Sequence, residues 1–374
     1  MTASASPARP TVVPVGDNPT PIWGMRNAER VRRIAAAQKL DGPDVGARLL
    51  VNLGYAFDPI WTSYLAGVPD TAVTRDDVPV LAHVSDPADA DAVRRAMVDG
   101  RPLGPTRLRV QEAEDEAGIA NKALRKRERP FAERLTPETV PLIERASYFG
   151  AYKGVTDLLT KYLWPEWAFV LTRVAARFGI TPNQVTATGT ILCVLATVAF
   201  WHGWFWTGMA VGLAFMVLDT VDGKLARCTI TSSAIGNVWD HGIDLVHPPF
   251  WWWAWAVGCG AYGRPLDDQT FWWVMGTMIV GYVAQRVIEG AFMRMNGGMH
   301  IHVWRPFDSW FRLITARRNP NMVILFASML VARPDWGIVA VAVWTVLSLV
   351  VHLVQLLQSL LARRAGRPVV SWLA

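Results

Sequence analysis

Leu218-Asp219-Thr220-Val221-Asp222-Gly223-Lys224-Leu225-Ala226-Arg227 and, after eight further residues, Gly236-Asn237-Val238-Trp239-Asp240-His241-Gly242-Ile243-Asp244 decide the fold. The first stretch ends one apolar run and the second begins the next. Asp219 and Asp222 are three apart, Asp240 and Asp244 four apart, so each pair shares a helix face. The short basic segment between the runs predicts an antiparallel hairpin with four carboxylates converging at its cytosolic end. Four such charges at low dielectric repel one another and need cations. An all-oxygen donor set suits Mg²⁺ or Mn²⁺, and two ions on four carboxylates can clamp a diphosphate. Gly223, Ala226 and Gly236 are small where a bulky nucleotide must approach, and Arg227 can pair with phosphate. A second reading stays open here: an ion or proton path, or Asp residues paired with Arg286.

Working outward, apolar segments run near Pro182–His202, Trp204–Asp222, Ala234–Ala261, Phe271–Phe292, Pro320–Ala332 and Trp336–Leu361. A spanning helix needs about 20 residues, so the fifth is short unless its helix begins among Trp310–Arg318. Trp164–Gly179 is amphipathic, with Arg173 and Arg177 on one side, and suits a helix lying in the membrane interface. Hydrophobic residues make up 52% of the 374 and charged residues 18%, which excludes an ordinary soluble enzyme and a disordered chain. Seventeen of the nineteen Trp lie from Trp164 onward. The expected fold is therefore an all-α polytopic membrane domain over residues 164–374, six spans plus an interfacial helix, behind a small N-terminal α/β cytosolic domain. Net charge is +6, but the basic residues sit between apolar segments, so nucleic acid is not expected as a partner. Lys224 and Arg227 follow the second span, and Arg294, Arg305, Arg312, Arg317 and Arg318 follow the fourth. The positive-inside rule then puts both termini and the carboxylates on the cytosolic side of the cell (inner) membrane. Cys193, Cys228 and Cys259 lie in or beside apolar segments and read as buried small hydrophobes.

The stretch Asp219–Asp244 reads D-x2-D-G-x2-A-R-x8-G-x3-D-x3-D without departure. It resembles the signature of the CDP-alcohol phosphatidyltransferase family. Thr181-Pro182-Asn183-Gln184-Val185-Thr186 is similar to the opening of that family's first membrane helix, and the likeness covers roughly Trp164 to Leu361. The resemblance implies metal-dependent transfer of a phosphoalcohol group, such as phosphatidyl from CDP-diacylglycerol, to an acceptor hydroxyl with release of CMP, in phospholipid synthesis. It implies Asp219, Asp222 and Asp240 as metal ligands, and Asp244 as ligand and general base. Asp222, Gly223, Ala226, Arg227 and Gly236 would line the cytidine diphosphate site. Asn183 either reaches the nucleotide or punctuates the helix start. Homodimers are common in the family. A soluble CDP-alcohol with a lipid hydroxyl acceptor is an alternative pairing, and a cation-handling transporter an alternative of another class.

Arg286 and Glu289, three apart in the fourth span, face a polar cavity or form an internal ion pair. Arg286, Arg294, Arg305, Arg317 and Arg318 are candidates for binding an acceptor carrying phosphate, such as glycerol 3-phosphate or an inositol phosphate; the alternative for the four loop arginines is that they serve only as positive-inside determinants. The Pro- and Ser-rich residues 1–20 read as disordered, 21–114 as the α/β domain and 115–163 as a charged connector. In the α/β part, Glu29–Leu40 and Asp89–Val98 read as helices, Leu49–Leu53 and Val78–Val84 as strands. Pro21–Arg33 weakly resembles the start of a cytidylyltransferase domain such as precedes the membrane domain in some family members. The Gly-rich phosphate loop is missing, so the expectation is a degenerate, non-catalytic relative that docks or regulates.

Overall fold

The computed structural model describes residues 9–42, 46–116, 118–121 and 124–373. The chain divides into two units. The first holds residues up to Tyr152 together with Arg173–Ile180 and Lys224–Thr231. The second holds Lys153–Thr172, Thr181–Gly223 and Ser232 onward.

The first unit is built on strands β1 (Thr11–Val15), β2 (Pro21–Ile22), β3 (Met25–Arg26), helix α1 (Asn27–Gln38), β4 (Arg48–Asn52), β5 (Tyr55–Phe57), α2 (Ile60–Ala66), β6 (Thr71–Arg75), β7 (Val78–Val84), α3 (Pro87–Asp99) and β8 (Arg109–Glu112). Beyond these come β9 (Ile119–Asn121), β10 (Lys126–Glu128), β11 (Ala132–Arg134) and α4 (Val140–Gly150). The main sheet has the order β1-β4-β7-β6-β8, parallel at its two outer pairs and antiparallel within. Alternate residues of its strands feed two cores. Leu49, Val51 and Leu81 pack with Val31, Ile34, Trp61 and Leu65, while Leu50, Ala82 and Val84 pack with Ala90, Val93 and Met97. Asp76 and Asp77, at φ +53° and +64°, make the β6–β7 hairpin turn, where two left-handed residues match the strand twist.

Two expectations need correction. Residues 1–20 are not wholly unstructured, because β1 pairs in parallel with β4 from Thr11 to Val15. Pro14 is accommodated there because β1 is an edge strand; residues 1–8 lie outside those described. Nor is 115–163 only a connector: β9 pairs β10, β11 pairs β5, and α4 follows. Arg30 is fully buried in this unit. It donates from Nη2 to the Phe57 carbonyl at 2.8 Å, and burial pulls its guanidinium down to about 10 against the opposing charge of Asp58.

The second unit is helical: α5 (Leu158–Tyr162), α6 (Pro165–Arg177), α7 (Pro182–Trp201), α8 (Phe205–Cys228), α9 (Ala234–Ala261), α10 (Asp268–Met295), α11 (Pro306–Phe311), α12 (Arg318–Met329) and α13 (Pro334–Arg364), with α6 and α8 each running their last residues into the first unit. Among the described residues three helices, α7, α10 and α13, are long and apolar enough to cross a membrane. α8 and α9 are 24 and 28 residues long but carry the carboxylates. α12 has 12 residues, about 18 Å at 1.5 Å each, well short of a bilayer core. Its N-cap is Arg317, so the helix does not reach back through Trp310–Ala316. Ile191, Val194, Leu195 and Val198 of α7 and Val238, Val246 and Phe250 of α9 are exposed, an apolar outer surface suited to lipid rather than water.

Candidate active site

α8 and α9 pack antiparallel. An added Cβ on Gly212 would stand 3.0 Å from Trp251, and Phe215 meets His247 edge-to-face at 5.2 Å. One turn on, Asp219 reaches Asp240 and Asp244. Numbers rise along one helix as they fall along the other, as the hairpin reading required. Carboxylate oxygens of Asp219, Asp240 and Asp244 lie within 4.8 Å of one another. Asp222, one turn further along α8, is buried; Thr186 Oγ1 donates to its Oδ2 at 2.6 Å and the Gly223 N–H to its Oδ1. Thr186 had been read only as part of a helix opening, and its spacing four residues from Pro182 gave no sign of this role.

Arg318 is the counter-charge. It donates from Nη1 to Asp244 Oδ1 and from Nη2 to Asp219 Oδ2, each at 2.7 Å, and its guanidinium stands 5.0 Å from the Phe215 ring centroid. One guanidinium against three clustered carboxylates leaves net negative charge, and every donor is oxygen. The residues therefore fit a hard divalent cation.

Ser233 caps α9, its Oγ accepting from the Gly236 N–H at 3.0 Å. A Cβ on Gly236 would meet Asn183 Oδ1 at 2.7 Å, so α7 and α9 come close here and a larger residue at 236 would displace the Asn183 side chain. The α7 start is punctuated by Thr181 and Gln184 in a reciprocal capping box, not by Asn183, which is exposed. Gly223, Ala226 and Arg227 lie on the same helix as Asp219 and Asp222, in its last two turns.

The candidate acceptor arginines do not form one cluster. Arg286 Nη1 donates to Glu289 Oε2 at 3.2 Å, as the ion-pair reading expected, and Arg317 Nη2 donates to Glu289 Oε1 at 2.5 Å, a pairing the sequence did not suggest. Arg305 is tied to Asp308 by Nε and Nη2, both at 2.9 Å, and to Gln358. Arg294 is exposed on the last turn of α10. Arg318 belongs to the carboxylates. Glu289 also gathers His302 and His352 within 4.8 Å. Burial holds the His302 imidazole well below its usual value despite Glu289. With Arg317 Nη2 only 3.3 Å from His302 Nε2, a cation here would meet positive charge.

A groove of about 590 Å³ runs between α7 and α9 beside the carboxylates, lined by Cys193, Val194, Val198, Gly242, Ile243 and Val246 among others. Gly242 and Ile243 fall between Asp240 and Asp244 in sequence.

A CDP-alcohol phosphatidyltransferase family model matches residues 179–347. Phosphatidylinositol phosphate synthase of Mycobacteroides abscessus is 30% identical over 152 residues, which are 39% of this chain and 67% of that protein. Archaetidylinositol phosphate synthase of Pyrococcus horikoshii is 27% identical over 172 residues, 46% of this chain and 80% of that protein. Cholinephosphotransferase 1 of Danio rerio is 34% identical over 97 residues, and there the chain spans only 25% of the relative. With the matched span enclosing the carboxylate hairpin and its motif unbroken, this chain belongs to the CDP-alcohol phosphatidyltransferase family.

Proposed function

We propose that this chain transfers a phosphoalcohol group from a CDP-alcohol to an acceptor hydroxyl, with CMP as the other product, at the cytosolic end of a helical membrane domain. The observation that carries the reading is the meeting of Asp219, Asp240 and Asp244 within 4.8 Å on two antiparallel helices. Asp219, Asp222, Asp240 and Asp244 would hold two Mg²⁺ or Mn²⁺ ions, which when bound would neutralise and polarise the diphosphate. Asp244, whose side chain is 47% exposed, would take the acceptor's proton. The acceptor oxygen bonds to the alcohol-side phosphorus, the bond from that phosphorus to the bridging oxygen breaks, and CMP leaves with that oxygen. Arg227 would steady the diphosphate, while Gly223, Ala226, Gly236 and Asn183 would border the cytidine. Both termini are proposed to be cytosolic, with α6 in the membrane interface.

For the donor we favour a CDP-linked lipid, because the apolar groove beside the carboxylates offers room for an acyl chain. Arg286 and Arg317, fixed by Glu289, are the arginines proposed to orient the acceptor. Glu289 offsets part of their charge, and this, with the similarity to a cholinephosphotransferase, favours as a second reading a soluble CDP-alcohol with a lipid hydroxyl.

The test is CMP release by purified protein with Mn²⁺ or Mg²⁺. CDP-diacylglycerol is offered with glycerol 3-phosphate, inositol phosphate, inositol or serine in turn, and CDP-choline with diacylglycerol. Metal-dependent CMP from one pairing is expected, absent in Asp240→Asn. No CMP from any pairing would sink the proposal. Asp244→Asn should lower turnover by about 10²–10⁴-fold while metal-dependent CMP binding persists; near-normal turnover would remove Asp244 from the base role.

A further inference from the structure

The middle of the motif does not fold with its two ends: Asp219–Gly223 and Gly236–Asp244 belong to the helical unit. Lys224–Thr231, the end of α8 and the turn after it, belongs to the same unit as the N-terminal α/β domain. Contacts of three of its residues show how it is held. Ile230 packs against the apolar core that holds Val31, Ile34, Phe57 and Trp61. The Arg33 guanidinium donates from Nη1 to the Thr229 carbonyl at 3.0 Å, while Nε, at 2.9 Å from Glu29 Oε1, fixes the direction of the fork. Lys224 is buried, 3% exposed, and its ammonium lies 3.0 Å from the centroid of the Tyr152 ring and 5.6 Å from that of Tyr148.

A turn between two helices can close with its own residues, and this one partly does: Thr229 Oγ1 donates to the Leu225 carbonyl at 2.6 Å and lies 2.7 Å from Thr231 Oγ1. Yet Ile230 adopts φ +53°, a left-handed conformation that β-branched residues rarely take. Such a conformation persists only where the surroundings over-determine it. Here the surroundings are the α/β core, which accepts the side chain, and Arg33, which holds the preceding carbonyl. Nothing about joining α8 to α9 demands an apolar β-branched residue at that point.

We infer that the N-terminal α/β domain is a positioning module for the donor nucleotide. It clasps Lys224–Thr231 and so fixes Ala226 and Arg227, which sit inside the clasped segment, for a cytidine diphosphate. The clasp rests on geometry alone; the role of Ala226 and Arg227 rests on the phosphotransfer reading. Ile230, Arg33 and Tyr152 act through Arg227 and are positioning residues.

The experiment compares full-length wild type, Ile230→Asp, Arg33→Ala and Arg33→Lys in detergent. Hydrogen exchange is followed over 224–231 and over β4 and β7, and donor KM and kcat are measured with Mn²⁺. Amides of 224–231 should exchange about tenfold faster in Ile230→Asp and Arg33→Ala, with β4 and β7 unchanged. Donor KM should rise about tenfold with kcat nearly kept, and Arg33→Lys, which can still reach the carbonyl, should recover most of both. Unchanged exchange over 224–231 in both variants overturns the clasp. Faster exchange with unchanged donor KM overturns the nucleotide role. Should Ile230→Asp lose protection in the sheet as well, Arg33→Ala against Arg33→Lys decides. A wild type that turns over no CDP-alcohol ends the phosphotransfer reading, while the exchange comparison still decides the clasp.

Discussion

Arg318 bridges Asp219 and Asp244 with a side chain only 13% exposed, so it stands in for part of the positive charge a metal would bring. Removing one partner of a buried pair leaves the other uncompensated. Arg318→Ala should therefore cost the metal-free protein about 3 kcal/mol of stability. Mn²⁺ should restore the loss and bind the variant more tightly than wild type, since no guanidinium competes. Thermal unfolding with and without Mn²⁺ checks both, and equal metal affinity in the two proteins would rule out competition. The carboxylates were legible because helical spacing writes itself into local sequence. Arg318 was not: it lies 74 residues beyond Asp244, and no local period links them. In sequence it was one of several loop arginines, indistinguishable from Arg317, which pairs with a different carboxylate.

Among elements, α7 and α9 touch backbone to backbone. A Cβ on Gly258 would stand 1.8 Å from the Phe200 carbonyl oxygen, whereas one on Gly208 would meet the Phe200 ring at 2.4 Å. A ring can turn and a carbonyl within a helix cannot. Gly258→Ala should therefore destabilise by about 3 kcal/mol, the upper range for overpacking, and Gly208→Ala by about 1 kcal/mol. Thermal midpoints of the two variants measure the difference, and equal costs would mean that the helices part easily. Hydropathy alone made α7, α10 and α13 readable. α8 and α9 were readable as apolar runs as well, with the carboxylates marking where the two meet, while the edge strand β1 was hidden by the prolines around it.

At the scale of the whole chain, the boundary read after residue 114 cuts through a folded layer. It would separate β11 from β5 and remove the core that receives Ile230. Deleting residues 1–114 should therefore strip protection from 224–231 and lower the thermal midpoint, where a detached regulatory domain would leave both unchanged. Composition showed the polar front and apolar rear correctly, but it could not show that one turn of the rear folds with the front, because that depends on a few long-range contacts of Lys224, Thr229 and Ile230.

The groove between α7 and α9 is open-sided and faces outward with the exposed residues Val194, Val198, Val238 and Val246. The CDP-linked lipid proposed for it would travel in two dimensions. Its effective concentration is then counted per unit of membrane area, not per litre. Turnover should follow the mole fraction of the lipid substrate in vesicles or mixed micelles, and it should fall when inert lipid is added at constant total substrate.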